Sequence, residues 1–216
     1  MDPADAKDAS SVFVVAVAGG SGSGKTTLVR HLVAALTDSQ PLVLELDHYY
    51  RDLSGLSPAE RHAVNFDHPE ALELDLLHAH IEAWMRGETV VRPCYDFASH
   101  TRLAEGVPLE SRPVVFVDGL FALVDPRINR LARLRVFVDA DDDVRLARRI
   151  RRDLAERGRS LDATVSQYFA TVKPMHLKFI EPTRHDADIV VPWDRHNQRA
   201  AAFIVKSIRQ ALSVNA

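Results

Sequence analysis

The chain has 216 residues, of which 46% are hydrophobic and 26% charged, the composition of an ordinary globular domain. Its formal net charge of −3 gives no basic field that would favour nucleic acid or an anionic membrane as a partner. The single cysteine, Cys94, excludes an internal disulfide and fits a cytoplasmic protein. No apolar run is long enough to predict a membrane span.

Residues 1–11 are small, polar and slightly acidic, so a disordered tail rather than a signal peptide is predicted there, followed by a single domain over residues 12–216. Short apolar runs predict buried strands at residues 12–18, 42–46, 114–117, 134–138 and 189–191. Apolar residues at helical spacing predict helices at residues 26–36, 69–85, 142–157, 161–172 and 197–212. Because strands and helices alternate, the predicted fold class is α/β with a mostly parallel central sheet. A short strand pair over residues 89–97 is predicted within a small β insertion at about 88–110.

The glycine-rich stretch after the first predicted strand has the spacing of a phosphate-binding loop. Its residues are Gly19, Gly20, Ser21, Gly22, Ser23, Gly24, Lys25 and Thr26, which match G-x-x-x-x-G-K-[ST] in full, and Thr27 follows them. Glycines let backbone N–H groups approach phosphate oxygens closely, and the start of a helix also favours anions. The motif predicts a three-layer P-loop fold that binds ATP along Gly19–Thr27, with Lys25 on the β- and γ-phosphates and Thr26 on Mg²⁺.

A P-loop enzyme usually places an acidic residue at the end of a neighbouring buried strand, where it holds Mg²⁺ directly or through water. Asp118 and Asp139 both follow predicted buried strands. Asp118 is favoured because Gly119 leaves room for a ligand beside it. Asp139 is followed by further acids that suit the start of a helix.

Several further blocks of the sequence resemble the uridine–cytidine kinases, and the resemblance runs from about residue 13 to residue 192. The blocks are DHYYRD at 47–52, NFDHPEA at 65–71, PCYDF at 93–97 with SHTR at 99–102, ERGRS at 156–160, TVKPMH at 171–176 and EPT at 181–183. Many enzyme types share the phosphate loop, whereas these blocks are far more specific.

The resemblance implies a role for each matching position on the acceptor side. Asp47 would be the catalytic carboxylate near Mg²⁺, where it could accept the proton of the nucleoside 5′-hydroxyl. Asp67 would accept hydrogen bonds from the ribose 2′- and 3′-hydroxyls. Tyr95 and His100 would contact the base, and a neutral histidine can donate to a carbonyl or accept from an amino group, which would admit uridine and cytidine. Tyr50 would pack against the nucleoside.

The arginine-rich stretch at residues 149–159 predicts a lid that closes over the phosphates and supplies positive charge to the transition state. Arg152 and Arg157 are the predicted phosphate ligands. By resemblance, Arg149, Arg159 and Gln167 touch the nucleoside.

The spacing of the arginines is also compatible with a solvated helix face that has no role in binding. Arg145, Arg148, Arg149 and Arg152 share one helical stripe, but a solvated face opposite Leu146, Ile150 and Leu154 would show the same pattern. About half of the cluster is therefore expected to be plain surface.

One departure from the family pattern concerns the metal. The family usually has Glu-Gly-Ile after the third buried strand, whereas this chain has Asp118-Gly119-Leu120. The shorter side chain of Asp118 leaves both direct and water-mediated metal contact open.

The sequence thus predicts a phosphotransferase of pyrimidine salvage that moves the γ-phosphoryl group of ATP to uridine or cytidine, with Mg²⁺ and with GTP as an open alternative donor. The resemblance implies a homotetramer. Two other functions stay open: a related kinase acting on ribulose phosphate or pantothenate, and a regulator that binds nucleotide without catalysis. The blocks around Asp67, Tyr95 and His100 speak against the first, and the shortened acid at Asp118 is the support for the second.

Overall fold

The apolar runs of the sequence form a central sheet in the computed structural model, which describes residues 12–214. The strands in chain order are β1 (Phe13–Ala18), β2 (Leu42–Glu45), β3 (Val90–Arg92), β4 (Tyr95–Asp96), β5 (Thr101–Arg102), β6 (Val107–Leu109), β7 (Val114–Asp118), β8 (Leu134–Asp139) and β9 (Ile189–Pro192). The central sheet has the order β2-β7-β1-β8-β9, and all of its pairings are parallel. The predicted disordered tail at residues 1–11 lies outside the described residues.

Helices cover both faces of this sheet. They are α1 (Lys25–Ala35), α2 (Pro58–Ala63), α3 (Leu74–Met85), α4 (Pro126–Leu131), α5 (Asp142–Glu156), α6 (Leu161–Gln167), α7 (Lys173–Met175) and α8 (Gln198–Val214). No helix within residues 12–214 is long and apolar enough to cross a membrane.

Alternation along β1 explains the three layers. Val14 and Ala16 belong to a core cluster that also contains Leu77 of α3, whereas Val15 belongs to a second cluster that contains Leu28 of α1. Every residue of β1 is buried, as expected for a strand with helices on both sides. The predicted α/β three-layer fold with a parallel sheet is therefore confirmed.

The register of the parallel strands determines which polar residues at the strand ends lie side by side. Asp118, the last residue of β7, pairs with Val17 of β1, and Glu45 of β2 pairs with Asp118 in turn. All three strands run in the same direction, so the loops that follow them share one edge of the sheet.

Two helix predictions need correction. The predicted helix at 69–85 is divided: residues Pro69–Ala71 form a 3₁₀ turn, and α3 begins only at Leu74. Leu72 lies between them in extended backbone and forms an isolated bridge with Tyr50, which breaks the helical hydrogen bonding.

The second correction concerns the helix predicted to end at residue 172. Instead, α6 continues through π-helical turns at Tyr168–Val172 and His176–Ile180, with α7 between them, and ends in a 3₁₀ turn at Glu181–Asp186. Pro174 occupies one of the first two positions of α7, where a missing N–H is tolerated, so it does not end the helical segment.

The β insertion also differs from the prediction of one strand pair over 89–97. Two short antiparallel pairs are present, β3 with β6 and β4 with β5, so the first strand pairs with residues well beyond 97. The Trp84 indole N–H donates to the carbonyl of Leu109 at 3.1 Å, and the Ser111 hydroxyl donates to the carbonyl of Trp84 at 2.9 Å. These bonds attach the insertion to α3.

Candidate active site

The predicted phosphate cradle, residues 19–26, forms the turn between β1 and α1. Gly22 and Gly24 have φ angles of 79° and 97°, a region that favours glycine. A Cβ atom at Gly22 would collide with the carbonyl oxygen of Arg145, and one at Gly24 would collide with the ring of Trp193. The surrounding chain therefore leaves room only for glycine, and α1 begins at Lys25 with unpaired N–H groups directed toward the loop.

Lys25 is nearly buried beneath this loop. Its side chain is 8% exposed, and its ammonium group donates to the carbonyl of Gly20 at 3.0 Å. Burial lowers the pKa of Lys25 to about 8, and the carboxylates of Asp118 and Asp47 oppose that effect. A partly desolvated ammonium group beside two carboxylates is suited to binding an additional anion together with a cation.

The metal side of the site is built from Thr26 and Asp118. The Thr26 hydroxyl donates to Oδ2 of Asp118 at 2.8 Å, while Oδ1 of Asp118 is buried with no hydrogen-bond partner among residues 12–214. Burial raises the pKa of Asp118, against the opposing positive charge of Lys25. Oδ2 of the other candidate, Asp139, lies 2.9 Å from Nη2 of Arg184 in a separate ion pair.

These oxygen atoms fit Mg²⁺, which prefers carboxylate, hydroxyl and phosphate oxygens. The unpartnered Oδ1 of Asp118 is an available ligand on this side. The part of the chain that the structure describes contains no group of three or more His, Cys, Asp or Glu residues that could hold a metal ion by itself. Nucleotide phosphates and water would supply the remaining ligands.

Asp47 lies in a 3₁₀ turn, Leu46–Tyr49, directly after β2. Its side chain is open to solvent, as expected on the wall of a cleft, yet the surrounding protein raises the pKa of its carboxyl group by desolvation. The positive charges of Lys25, Arg157 and Arg152 oppose that increase. The turn thus brings a carboxylate, the cradle lysine and two lid arginines into one electrostatic environment.

An aromatic wall follows on the acceptor side of the cleft. The rings of Tyr50 and Tyr95 have centroids 5.4 Å apart, and the ring of His100 stacks on Phe66 at 4.6 Å. The Tyr50 hydroxyl donates to the carbonyl of Phe66 at 3.2 Å, which joins the two pairs. The structure therefore brings together the three predicted base-side residues and adds Phe66.

Two polar atoms on this wall are available to a ligand. The hydroxyl of Tyr95 is buried and has no hydrogen-bond partner in the described part of the chain. Burial lowers the pKa of His100, and the neighbouring His62 and Arg159 lower it further, which favours the neutral imidazole. A neutral imidazole retains one donor and one acceptor nitrogen.

Asp67 is 9% exposed and held by Thr171, whose hydroxyl donates to Oδ2 of Asp67 at 2.7 Å. The backbone N–H of Asp67 donates to the side chain of Asn65 at 3.0 Å, in a local turn that orients the residue. The bond from Thr171 occupies one of the two carboxylate oxygens of Asp67.

Arg149 connects the cradle to Gln167, the last residue of α6. One terminal nitrogen donates to the Ser21 hydroxyl at 2.9 Å, and the other donates to the side-chain oxygen of Gln167 at 2.9 Å. Arg159 donates to the same Gln167 oxygen. Arg149, Arg159 and Gln167, which the resemblance places against the nucleoside, are thus joined to one another by hydrogen bonds.

Part of the arginine cluster faces inward and part faces solvent: the side chains of Arg157 and Arg159 are 44% and 38% exposed, in agreement with the expectation that about half of the cluster lies at the surface. Arg145 and Arg149 are each only 4% exposed, and the guanidinium of Arg148 donates to the carbonyls of Ser23 and Trp193. Leu154, expected on the apolar side, is 44% exposed. Arg148 and Arg149 pack against the cradle because their guanidinium groups find the carbonyl of Ser23 and the hydroxyl of Ser21 there.

Sequence reasoning missed several residues at this site. It assigned no structural role in the cleft to Phe66, Arg145, Arg148, Asp153 and Thr171. Asp153 could have been predicted from the sequence. It is a single carboxylate with arginines four residues before and four residues after it, a helical spacing that predicts ion pairs. The block TVKPMH begins with Thr171, but no local pattern pointed to its partner Asp67, which is 104 residues away in sequence.

A parallel sheet with a glycine cradle, a buried lysine and a threonine–carboxylate pair at its edge defines the class of P-loop proteins. A sequence profile of the phosphoribulokinase / uridine kinase family matches residues 14–200 of the chain. The chain belongs to this family.

Individual relatives agree with this assignment. A uridine kinase of Brevibacillus brevis is 45% identical over 199 residues, which cover 92% of this chain and 93% of that protein. A uridine kinase of Chloroflexus aurantiacus is 43% identical over 200 residues, covering 93% and 96%. The structure of phosphoribulokinase from Rhodobacter spheroides matches with a TM-score of 0.63 at 19% identity, covering 83% of this chain and 69% of that one. This last similarity shows the shared fold.

Proposed function

We propose that this protein is an ATP-dependent kinase that transfers the γ-phosphoryl group to the 5′-hydroxyl of uridine or cytidine. The relatives named uridine kinase support this activity over almost the full length of both chains. The observation that carries the proposal is the pair of hydrogen bonds that Arg149 donates, one to Ser21 in the cradle and one to Gln167 on the acceptor side. Donor phosphates and acceptor would therefore bind within reach of one guanidinium group.

On the donor side, the backbone of residues 19–27 and the ammonium of Lys25 would bind the phosphates of ATP. Thr26, Asp118 and Asp47 would hold Mg²⁺, which neutralises charge that develops on the phosphoryl oxygens. Arg152 and Arg157 would close over the phosphates from α5 and the following turn, adding positive charge from within the same chain.

On the acceptor side, Asp67 would accept the ribose 2′- and 3′-hydroxyls, while Tyr50 and Tyr95 pack along the nucleoside. His100 would read the 4-position of the base as donor or acceptor. Asp47 would accept the proton of the 5′-hydroxyl as that oxygen attacks the phosphorus atom and ADP leaves.

The test is steady-state ADP release with Mg²⁺ and ATP, using uridine, cytidine, thymidine, adenosine, ribulose 5-phosphate, pantothenate or no acceptor. Stimulation by uridine or cytidine alone is the expected result. Asp47→Asn should lower kcat about 100-fold or more, since general-base assistance contributes that much. The exposed Asp38→Asn is the matched control. Equal turnover of Asp47→Asn and the wild type would exclude the base role, and stimulation by another acceptor would replace the proposed substrate.

Assembly, location and donor choice belong to the same proposal. The resemblance to uridine–cytidine kinases supports a homotetramer in the cytoplasm, without a nucleic-acid or membrane partner. Light scattering coupled to size-exclusion chromatography tests the tetramer. Replacing ATP with GTP in the assay decides whether the second donor is used.

A further inference from the structure

A single carboxylate lies at the centre of the arginine lid. Asp153 of α5 has no solvent exposure, and its oxygens face guanidinium groups from four arginines. The distances are 3.5 Å from Nε of Arg149, 3.0 Å from Nη2 of Arg152, 3.6 Å from Nη1 of Arg157 and 3.7 Å from Nη1 of Arg159. Asp153 therefore contacts every arginine that the sequence assigned to the lid.

Local structure explains how one residue reaches all four. Arg149 and Arg157 lie one helical turn before and one turn after Asp153, on the same side of α5. The chain then turns at Gly158, whose φ is 62°, and the backbone N–H of Arg159 donates to the carbonyl of Asp153 at 3.1 Å. The turn after the helix thus returns over Asp153.

Four guanidinium groups this close together repel one another, and burial makes the charge of Arg149 more costly still. Burial lowers the pKa of Arg149, and the negative charge of Asp153 is the largest influence that opposes it. Burial also lowers the pKa of Arg157, and the positive charge of Arg152 lowers it further. The negative charge of Asp153 again opposes these effects. The carboxylate compensates part of this accumulated positive charge.

The cluster is held mainly by charge rather than by saturated hydrogen bonding. Oδ1 of Asp153 accepts a hydrogen bond from Nε of Arg152 at 3.1 Å. Oδ2 of Asp153 and Nε of Arg149 have no hydrogen-bond partner anywhere in residues 12–214. Arginine donors in this state can turn to phosphate oxygens without giving up a full set of existing bonds.

We propose that Asp153 is a positioning residue, which gathers the four arginines before the substrates bind, so that Arg152 and Arg157 are presented to the phosphates and Arg149 and Arg159 to the nucleoside. This inference rests on the proposed phosphoryl transfer. Asp153 touches neither substrate nor metal in this account and acts through the guanidinium groups alone. Without it, the arginines separate by mutual repulsion and must be reassembled at each catalytic cycle.

The test compares Asp153→Asn, which keeps the shape and removes the charge, with Glu156→Gln, which removes an exposed charge from the same helix. Rates are normalised to folded protein measured by circular dichroism. We expect Asp153→Asn to lower kcat about tenfold or more and to raise the KM for ATP, with Glu156→Gln unchanged. Wild-type kcat and KM in the Asp153→Asn enzyme would overturn the proposal.

A double-mutant cycle separates positioning from a purely structural role. Arg157→Gln is introduced into the wild type and into Asp153→Asn, and the losses in kcat are compared. If Asp153 acts through Arg157, the second loss is smaller than the first by about fivefold or more. Equal losses in both backgrounds would show that Asp153 supports only the fold.

The buried charge of Arg149 could prevent Asp153→Asn from folding, so a second pair of variants is included. Arg149→Gln/Asp153→Asn removes both charges of the buried pair and is compared with Arg149→Gln alone. Because Arg152, Arg157 and Arg159 remain, a further loss in kcat of about fivefold supports the proposal, and no further loss would show that Asp153 does not act through these three arginines, which overturns it. Wild-type protein without nucleoside-stimulated ADP release would instead contradict the proposed function.

Discussion

The hydroxyl of Thr26 donates a hydrogen bond to Oδ2 of Asp118 at 2.8 Å, which joins residues 92 positions apart in sequence. This bond occupies one carboxylate oxygen and orients the other, buried Oδ1, which has no hydrogen-bond partner within residues 12–214. The pair thereby presents two oxygen atoms at the start of α1, where the proposed Mg²⁺ would meet the phosphates of ATP.

Asp118→Asn should raise the Mg²⁺ concentration required for half-maximal activity about tenfold, because an amide is a weaker ligand than a carboxylate. The measurement is ADP release against Mg²⁺ at saturating ATP and uridine. Asp139→Asn is the matched control, since Asp139 ends the neighbouring strand on the other side of β1 and pairs with Arg184. An unchanged Mg²⁺ requirement in Asp118→Asn would remove Asp118 from the metal site.

Thr171→Val should raise the KM for uridine roughly fivefold, because it removes the hydrogen bond that orients Asp67 toward the ribose. The KM for ATP should be unchanged. Thr171→Ser retains a hydroxyl and should behave close to wild type. Steady-state kinetics with each substrate varied separately provides the measurement, and equal increases in both KM values would argue against a role confined to the acceptor side.

His100→Phe should lower kcat/KM for uridine and cytidine roughly tenfold, since a phenyl ring keeps the stacking on Phe66 but cannot hydrogen-bond the base. The ring remains, so the loss reports the polar contact rather than the packing. Steady-state kinetics with uridine and cytidine varied separately measures both specificity constants. If both specificity constants stay at wild-type values, His100 does not read the base.

His176 should make the free energy of unfolding depend on pH. Its pKa is lowered from 6.5 to about 4, mainly by burial and next by the positive charge of Arg145. Asp142 opposes this shift, Lys25 adds to it at longer range, and Glu181 lies 3.4 Å from Nε2. The cavity of about 410 Å³ that His176 lines also carries the charged side chains of Asp139, Asp141 and Arg184.

Because the folded pKa is depressed, the stabilising contribution of neutral His176 is complete above pH 6.5 and is lost as pH falls toward 4. Between pH 7.5 and pH 5 the wild type should lose on the order of 1–2 kcal/mol more than His176→Gln. Urea unfolding at both pH values measures this difference, with the exposed His185→Gln as matched control. Parallel pH dependence in wild type and His176→Gln would contradict the prediction.

Several features were predictable because their causes are local or periodic. The cradle is contiguous in sequence, so its strand, glycines and helix start could all be identified before the fold was known. Asp47 and Asp118 each follow a buried strand, and parallel strands bring their carboxyl ends to one edge. The preference for Asp118 over Asp139 agrees with the contact between Asp118 and Thr26.

Two of the incorrect predictions share a different cause, which is pairing between distant parts of the chain. Val90 pairs with Leu109 in β3 and β6, and no periodic pattern in residues 89–97 could reveal that partner. A bridge between Tyr50 and Leu72 interrupts the helix predicted from residue 69. In both places a nonlocal backbone contact overrode the local helix or strand signal.

The sequence by itself determined the fold class, the phosphate cradle and the order of the chemical groups along the chain, because each depends on short-range spacing and on strand burial. Only the tertiary structure decided which arginines of α5 face inward, since an arginine stripe has the same period whether it meets solvent or protein. It also decided that Thr171 holds Asp67 and that Asp153 lies among four arginines. These contacts depend on where α5 and the helical segment after it pack above the sheet, and that packing is a property of the whole chain.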